Sequence, residues 1–234
     1  MKLWDVAALK GQVFLDDYKQ CPETWVVFSP DGKTLASGGV CRGEMKLFDV
    51  PSGQVRATLK TPGTFGPYNP HGVLAPAFTP DGKTLISVAI PNEIRLWDVA
   101  TGKQSKLQQT EQEIGRWTNA VATFSQDVKT VATSHSGDAS ITLWEVATGK
   151  AQSTLKGQKG EVRSLTFSPD GKTLASGDDK GMIKLWDVTG GKELASFTGH
   201  AGNVICLTIS ADGKVLASSG QDKKIKLWDA AKAK

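Results

Sequence analysis

Only three cysteines (Cys21, Cys41 and Cys206) occur in 234 residues, an odd number with no CxxC pair. That excludes a disulfide framework and gives no zinc-ligand spacing, so reduced, structural thiols are expected. No hydrophobic run reaches the length of a bilayer span. The opening MKLWDVAALKGQ has one lysine followed by an aspartate and lacks the apolar core of a secretion signal. A soluble, cytoplasmic chain is the expectation. Histidine is scarce, with three copies, and His71 and His135 have no neighbour at metal-ligand spacing. Charge of one sign is also modest. The net +4 comes from lysines that recur in DGK turns and at polar alternate positions. With no arginine-rich cluster or interleaved aromatic-basic segment, this reads as a solvated rim and not as a nucleic-acid stripe.

What the chain has in quantity is repetition. Twenty-five glycines and ten prolines punctuate two interleaved phrases. One is SPDGKTLASG at 29, returning as TPDGKTLIS at 79, SQDVKTVATS at 125, SPDGKTLASG at 168 and SADGKVLASS at 210. The other is MKLWDV at 1, returning as MKLFDV at 45, IRLWDVATGK at 94, ITLWEVATGK at 141, IKLWDVTGGK at 183 and KIKLWDA at 224. Measured on the aromatic residue, the marks are Trp4, Phe48, Trp97, Trp144, Trp186 and Trp228, at intervals of 44, 49, 47, 42 and 42. A sustained period of this length indicates a repeat architecture.

Each period carries the same order of signals. An alternating run such as RSLTFS (163–168) leads to a PDGK turn. TLASG (173–177), a polar loop, IKLWDV (183–188) and a weaker KELASF (192–197) follow. Alternation bounded by Asp-Gly or Thr-Gly steps predicts strands joined by hairpins, and no segment has a helical period. Every unit is therefore a four-stranded antiparallel meander, and such a sheet buries both faces only when stacked beside others. The Asp-Gly pairs at 31–32, 81–82, 170–171 and 212–213 supply turns that tolerate positive φ. Asp127-Val128 breaks the pattern and is expected to be strained or differently shaped.

A Gly-His step before a first strand, with Trp-Asp closing the third at this period, resembles the WD-repeat β-propeller family, over essentially the whole chain. The last repeat fits best, with Gly199-His200, SADGKVLASS, Asp222, Trp228 and Asp229. The even phrasing also looks like bacterial-type arrays. The resemblance implies an all-β propeller of about five four-stranded blades in one domain, residues 1–234, with repeat phrases ending near 5, 49, 98, 145, 187 and 229. Strand counting leaves two readings. In one, QVFLDD (12–17) joins the three C-terminal strands, five blades close, and Met1 to Val6 are surplus. In the other, favoured here, the chain is an arc of a larger, typically seven-bladed ring, incomplete at its N-terminus and open to self-association.

By position, the resemblance also implies a hydrogen-bonded chain of Trp228, Ser218, His200 and Asp222. A donor indole, a relaying hydroxyl, an imidazole and a terminal carboxylate make a sensible set. A hydrolase triad of Ser, His and Asp is disfavoured, since the tryptophan occupies the hydroxyl inside a packed sheet. Elsewhere Gln158 replaces the histidine and Lys180 the aspartate. Pro91 and Arg42 stand at the aspartate position of earlier repeats, while Asp138 and Thr133 are kept before Trp144. One complete network is expected.

Function should lie in the loops, which vary while the strands are fixed. KTPGTFGPYNPHGV (60–73) carries Phe65 and Tyr68, and QQTEQEIGRWTN (108–119) carries Arg116 and Trp117. With Arg163 and Asn203 near the starts of first strands, these are the candidate interaction residues, being types that serve as binding anchors or sit beside them. The first strands WVVFS, LAPAFT, AVATFS, RSLTFS and ICLTIS carry no acid or metal cluster for a central channel. No phosphate loop or nucleophile elbow occurs. The expectation is a non-catalytic scaffold for a protein or peptide partner, with no cofactor, metal, nucleic acid or membrane. The alternatives are a propeller enzyme with a central-channel site and a purely structural spacer.

Overall fold

A computed structural model describes residues 2–5, 10–14, 24–39, 44–60, 73–89, 93–110, 121–134 and 139–230. Every regular element among them is a strand. Two compact units divide the chain: Met1–Ala89 with Arg95–Leu107, and Ile90–Ile94 with Gln108–Lys234.

The first unit contains a two-stranded sheet of β1 (Lys2–Asp5) and β2 (Lys10–Phe14). Next comes a meander of β3 (Thr24–Phe28), β4 (Thr34–Gly39), β5 (Glu44–Asp49) and β6 (Val55–Lys60). Its other meander is β7 (Val73–Phe78), β8 (Thr84–Ala89), β9 (Glu93–Asp98) and β10 (Gln104–Gln109), the last two reaching into residues grouped with the second unit. The two meanders share a core of Met45, Leu47 and Leu59 against Phe78, Leu85 and Trp97.

The second unit repeats the plan. β11 (Ala122–Phe124), β12 (Thr130–Ser134), β13 (Ile141–Glu145) and β14 (Ala151–Leu155) form one sheet. β15 (Val162–Phe167), β16 (Thr173–Asp178), β17 (Met182–Asp187) and β18 (Lys192–Thr198) form the next, followed by β19 (Val204–Ile209), β20 (Val215–Gly220) and β21 (Ile225–Asp229). Ile141, Leu143 and Leu155 pack with Leu165, Phe167 and Trp186 in one core. Ile183 and Leu185 pack with Val204, Leu207 and Leu216 in the next. A sheet covered on both faces loses simple alternation, and β17 accordingly buries Ile183, Lys184, Leu185 and Trp186 in succession. These all-β, sequential antiparallel meanders are propeller blades.

Of the two readings, the less favoured one, in which residues 12–17 join the C-terminal sheet and five blades close, is not the pairing formed. β2 spans Lys10–Phe14 and pairs with β1, Lys2 opposite Phe14 and Asp5 opposite Lys10. The β19–β20–β21 sheet keeps three strands among the described residues. The physical reason is local: β1 and β2 are consecutive third and fourth strands of the repeat, so they close a hairpin without a long-range search.

The PDGK turns are built alike. In the first, Ser29 Oγ donates to Asp31 Oδ1 (2.6 Å), Asp31 Oδ1 accepts from Lys33 N (3.0 Å), and Ser29 Oγ accepts from Thr34 N (2.9 Å). Thr79–Asp81, Ser125–Asp127, Ser168–Asp170 and Ser210–Asp212 repeat the serine- or threonine-to-aspartate bond at 2.6 to 2.7 Å. Gly171 sits at φ 69° in this position, and Val128 is held at φ 58°. The shape of that turn is thus retained and the strain falls on a β-branched residue.

Two sequence expectations about surface side chains need correction. The lysine of IKLWDV is not a solvated rim residue. Lys184 is buried, donates to Glu193 Oε2 at 2.6 Å across β17 and β18, and lies 5.5 Å from the centre of the Trp186 ring. An aliphatic stem flanked by a tryptophan and a facing carboxylate makes that burial tolerable. Cys206, expected to be structural, is an exposed free thiol. Cys21 and Cys41 lie outside the described residues.

Candidate functional site

In the last sheet four side chains from two strands and two loops converge. Trp228 on β21 donates its Nε1–H to Ser218 Oγ on β20 at 2.9 Å. Ser218 Oγ lies 2.7 Å from His200 Nε2, and His200 Nδ1 lies 2.8 Å from Asp222 Oδ1. An ionised Asp222 accepts only, which assigns the imidazole proton to Nδ1 and makes Nε2 the acceptor of the serine O–H. Desolvation pushes the Asp222 carboxyl up. Hydrogen bonds from His200 and from the backbone N–H groups of Lys224 and Ala201 outweigh it and hold the group below the usual carboxylate range.

The histidine reaches this position because its neighbour on the sheet has no side chain. A Cβ on Gly220 would stand 2.4 Å from His200 Cγ. Both His200 and Ser218 are 2% exposed. A serine at that depth, already accepting from an indole, cannot meet a substrate carbonyl, so the set fixes the loop before β19 to the sheet and does no nucleophilic chemistry.

Partial versions recur. Trp97, Trp144 and Trp186 donate to Ser87 Oγ (2.9 Å), Thr133 Oγ1 (2.7 Å) and Ser176 Oγ (2.7 Å). Phe48 has no N–H to offer. In the β15–β18 sheet Gln158 Nε2 donates to Ser176 Oγ at 2.5 Å, while Gln158 Oε1 and Asp178 Oδ2 are buried without hydrogen-bond partners. Sequence reading did not give a role to the aspartate of Trp-Asp. Asp98 Oδ1 accepts from Thr101 N (2.7 Å) and Thr101 Oγ1 (2.8 Å), so it closes the turn after the third strand. The signal that could have found this was the Asp-x-x-Thr/Ser spacing itself, an Asx turn.

The loops of the second unit at the end opposite the PDGK turns are stitched to one another. Glu161 N donates to Asp179 Oδ1 (3.0 Å), Asp179 N to Glu161 O (2.9 Å) and Lys180 Nζ to Lys159 O (2.7 Å). Gln221 N donates to Asn203 O at 2.8 Å. Both described interaction candidates sit at this end. Arg163 donates through Nη2 to Glu161 Oε2 at 2.9 Å, its side chain is 29% exposed, and its Nε is buried without a partner. Asn203 is half-buried. β15 and β19 are joined by Leu207 N donating to Ser164 Oγ at 2.9 Å. Phe65, Tyr68, Arg116 and Trp117 lie outside the described residues. At the PDGK end, a cleft of about 270 Å³ is lined by Pro169, Asp170, Leu185, Ile209, Ala211 and Asp212, among others. Among the described residues no three His, Cys, Asp or Glu side chains are grouped to hold a metal, and no helix is long and apolar enough to cross a membrane.

Residues 149–187 and 191–229 match the family described as WD domain, G-beta repeat. The chain carries WD40 repeats. These matched segments run from the turn before β14 to Asp187, and from the residue before β18 to the last residue of β21. The WD-repeat chain is 27% identical over 172 residues to a guanine nucleotide-binding protein subunit beta of Oryza sativa subsp. indica, covering 69% of this chain and 43% of that one. It is 30% identical over 151 residues to periodic tryptophan protein 2 of Arabidopsis thaliana, covering 64% and 16%. To WD repeat-containing protein 90 of Xenopus tropicalis it is 28% identical over 176 residues, covering 75% and 9%. It spans less than half the length of each of these relatives.

Proposed function

We propose that this WD-repeat chain is a non-catalytic scaffold that presents the loop end of its blades to a protein or peptide partner. The observation that carries the reading is the disposition of Ser218, His200 and Asp222. Ser218 and His200 are buried, Asp222 is half-buried, and all three are tied through Ser218 to Trp228, so what they accomplish is a rigid loop end. Arg163 stands on that end with an unpartnered Nε and a partly accessible guanidinium, beside the loop that holds Asn203. Rigid support lowers the ordering cost of binding, and arginine is a frequent anchor. WD-repeat relatives include one named as a subunit of a larger assembly, which agrees with a role in association.

Among the described residues the proposed surface rests on Arg163 and Asn203; the loop residues Phe65, Tyr68, Arg116 and Trp117 remain separate candidates read from the sequence. The test is affinity capture from cell extract, followed by binding measurements with the purified partner, using R163A, N203A, R116A and W117A. The expected result is at least about tenfold weaker binding for one or more arginine or tryptophan variants, with melting temperatures unchanged. Equal binding by all four, or losses that only follow lowered melting temperatures, would sink the proposal.

A further inference from the structure

In three junctions within the two units, a pair of third-strand residues two apart is sealed by the following sheet. Met45 and Leu47 are buried with Phe78, Leu85 and Trp97. Ile141 and Leu143 are buried with Leu165, Phe167 and Trp186. Ile183 and Leu185 are buried with Leu207 and Leu216, with Ile209 and Trp228 packed against them. In the two junctions of the second unit the mating side is a first-strand apolar pair, Leu165 with Phe167 or Leu207 with Ile209, backed by second-strand Leu174 or Leu216.

This chain presents both halves of such a junction uncovered. Ile225 and Leu227 on β21 repeat Ile183 and Leu185 in type and position, yet they are 79% and 71% exposed where their counterparts are 0% and 2%. On β3, Val26 and Phe28 hold the repeat positions of Leu207 and Ile209 and are each 52% exposed. Large exposed apolar side chains grouped on one sheet face mark an association surface. Here the internal junctions state which surface fits it.

We propose that a second copy of this chain covers β21, its Val26 and Phe28 stacking on Ile225 and Leu227 as Leu207 and Ile209 stack on Ile183 and Leu185. The contact is head-to-tail: each copy contributes a different face, so every complex retains one free face of each kind and can grow. It uses sheet faces and not the loop end that holds Arg163 and Asn203, so it stands or falls independently of the partner surface proposed above.

Sedimentation velocity of the 234-residue chain across a wide concentration range tests this. The wild type should form species larger than a monomer that increase with concentration. L227D and F28D should each be monomeric alone, with association at least about tenfold weaker than wild type. Mixed in equal amounts they should form a dimer and nothing larger, because L227D keeps the Phe28 face and F28D keeps the Leu227 face. Both side chains are exposed, and circular dichroism melts check that folding is intact. If either aspartate variant fails to fold, the pair L227S and F28S repeats the mixing experiment. A wild-type monomer at every concentration, self-association of F28D alone through paired β21 faces, or failure of the mixed variants to combine would each overturn the proposal.

Discussion

Gln158 Nε2 lies 2.5 Å from Ser176 Oγ, the place that His200 Nε2 takes at 2.7 Å on Ser218 one repeat later. The substitution is matched on the neighbouring strand. Gly220, which leaves room for the imidazole, is Asp178 in the glutamine-bearing sheet, and Asp222, which receives the imidazole proton, is Lys180. Three positions therefore differ together between adjacent blades, and the slender amide goes with the strand residue that has a side chain.

That relationship predicts a coupling. Gln158→His alone should destabilise the chain by about 1–3 kcal/mol, because the ring must enter space that Asp178 fills. Asp178→Gly in the same chain should recover much of the loss, giving a favourable interaction energy of about 1 kcal/mol or more in a double-mutant cycle. Urea melts of the four chains measure it. Additive effects would mean that the two positions do not share the space.

Lys223 adopts φ 62° in the turn between β20 and β21, where the preceding sheet has Gly181 at φ 82°. Lysine carries a steric cost in that region of about 1–2 kcal/mol, and its side chain is exposed. Lys223→Gly should therefore stabilise the chain by roughly 1 kcal/mol, less the added flexibility of the unfolded state. Val128 at φ 58° is equally strained but buried, so Val128→Gly relieves strain while losing packing and should yield a smaller gain. Paired thermal melts check the ranking.

The aspartates of the turns set the acid behaviour. Hydroxyl donors and then backbone N–H groups hold Asp31, Asp81 and Asp212 below the ordinary carboxylate range, and Asp49 and Asp98 likewise through Ser52 and Thr101. A carboxyl whose folded value is depressed stabilises the fold fully above its unfolded value, about 3.9, and loses that contribution as pH falls through the folded value. Melting temperature should thus be flat near neutrality and decline below about pH 4. Replacing Asp31, Asp81 and Asp212 by Asn should lower it at neutral pH and make the acid decline shallower. An unchanged acid decline would show that these turns do not govern it.

Strand order and hairpin positions were legible, because each rests on residues close in sequence or at a fixed repeat offset, while the four members of the last hydrogen-bonded chain came only from the family resemblance. Gln158 as a surrogate for His200 was legible in position but not in chemistry: only the 2.5 Å approach to Ser176 shows that an amide serves there. The buried state of Lys184 was hidden because alternation assigns that position outward, and the sheets on either side remove the outward direction. The pairing of β2 with β1 was left open between two readings for a related reason. Strand counting treats every fourth strand as equivalent and cannot weigh a short hairpin against a distant edge.

By itself the sequence determined that the chain is a series of antiparallel meanders with Ser/Thr-x-Asp turns and a Trp-to-hydroxyl link, since each of these is written in a few neighbouring residues and copied at a fixed interval. The tertiary structure alone decided which repeated residues are satisfied and which are left exposed. Ile183 and Ile225 occupy the same place in the same phrase, yet one is fully buried and the other 79% exposed. Burial belongs to the sheet stacked alongside, and no local phrase contains that neighbour.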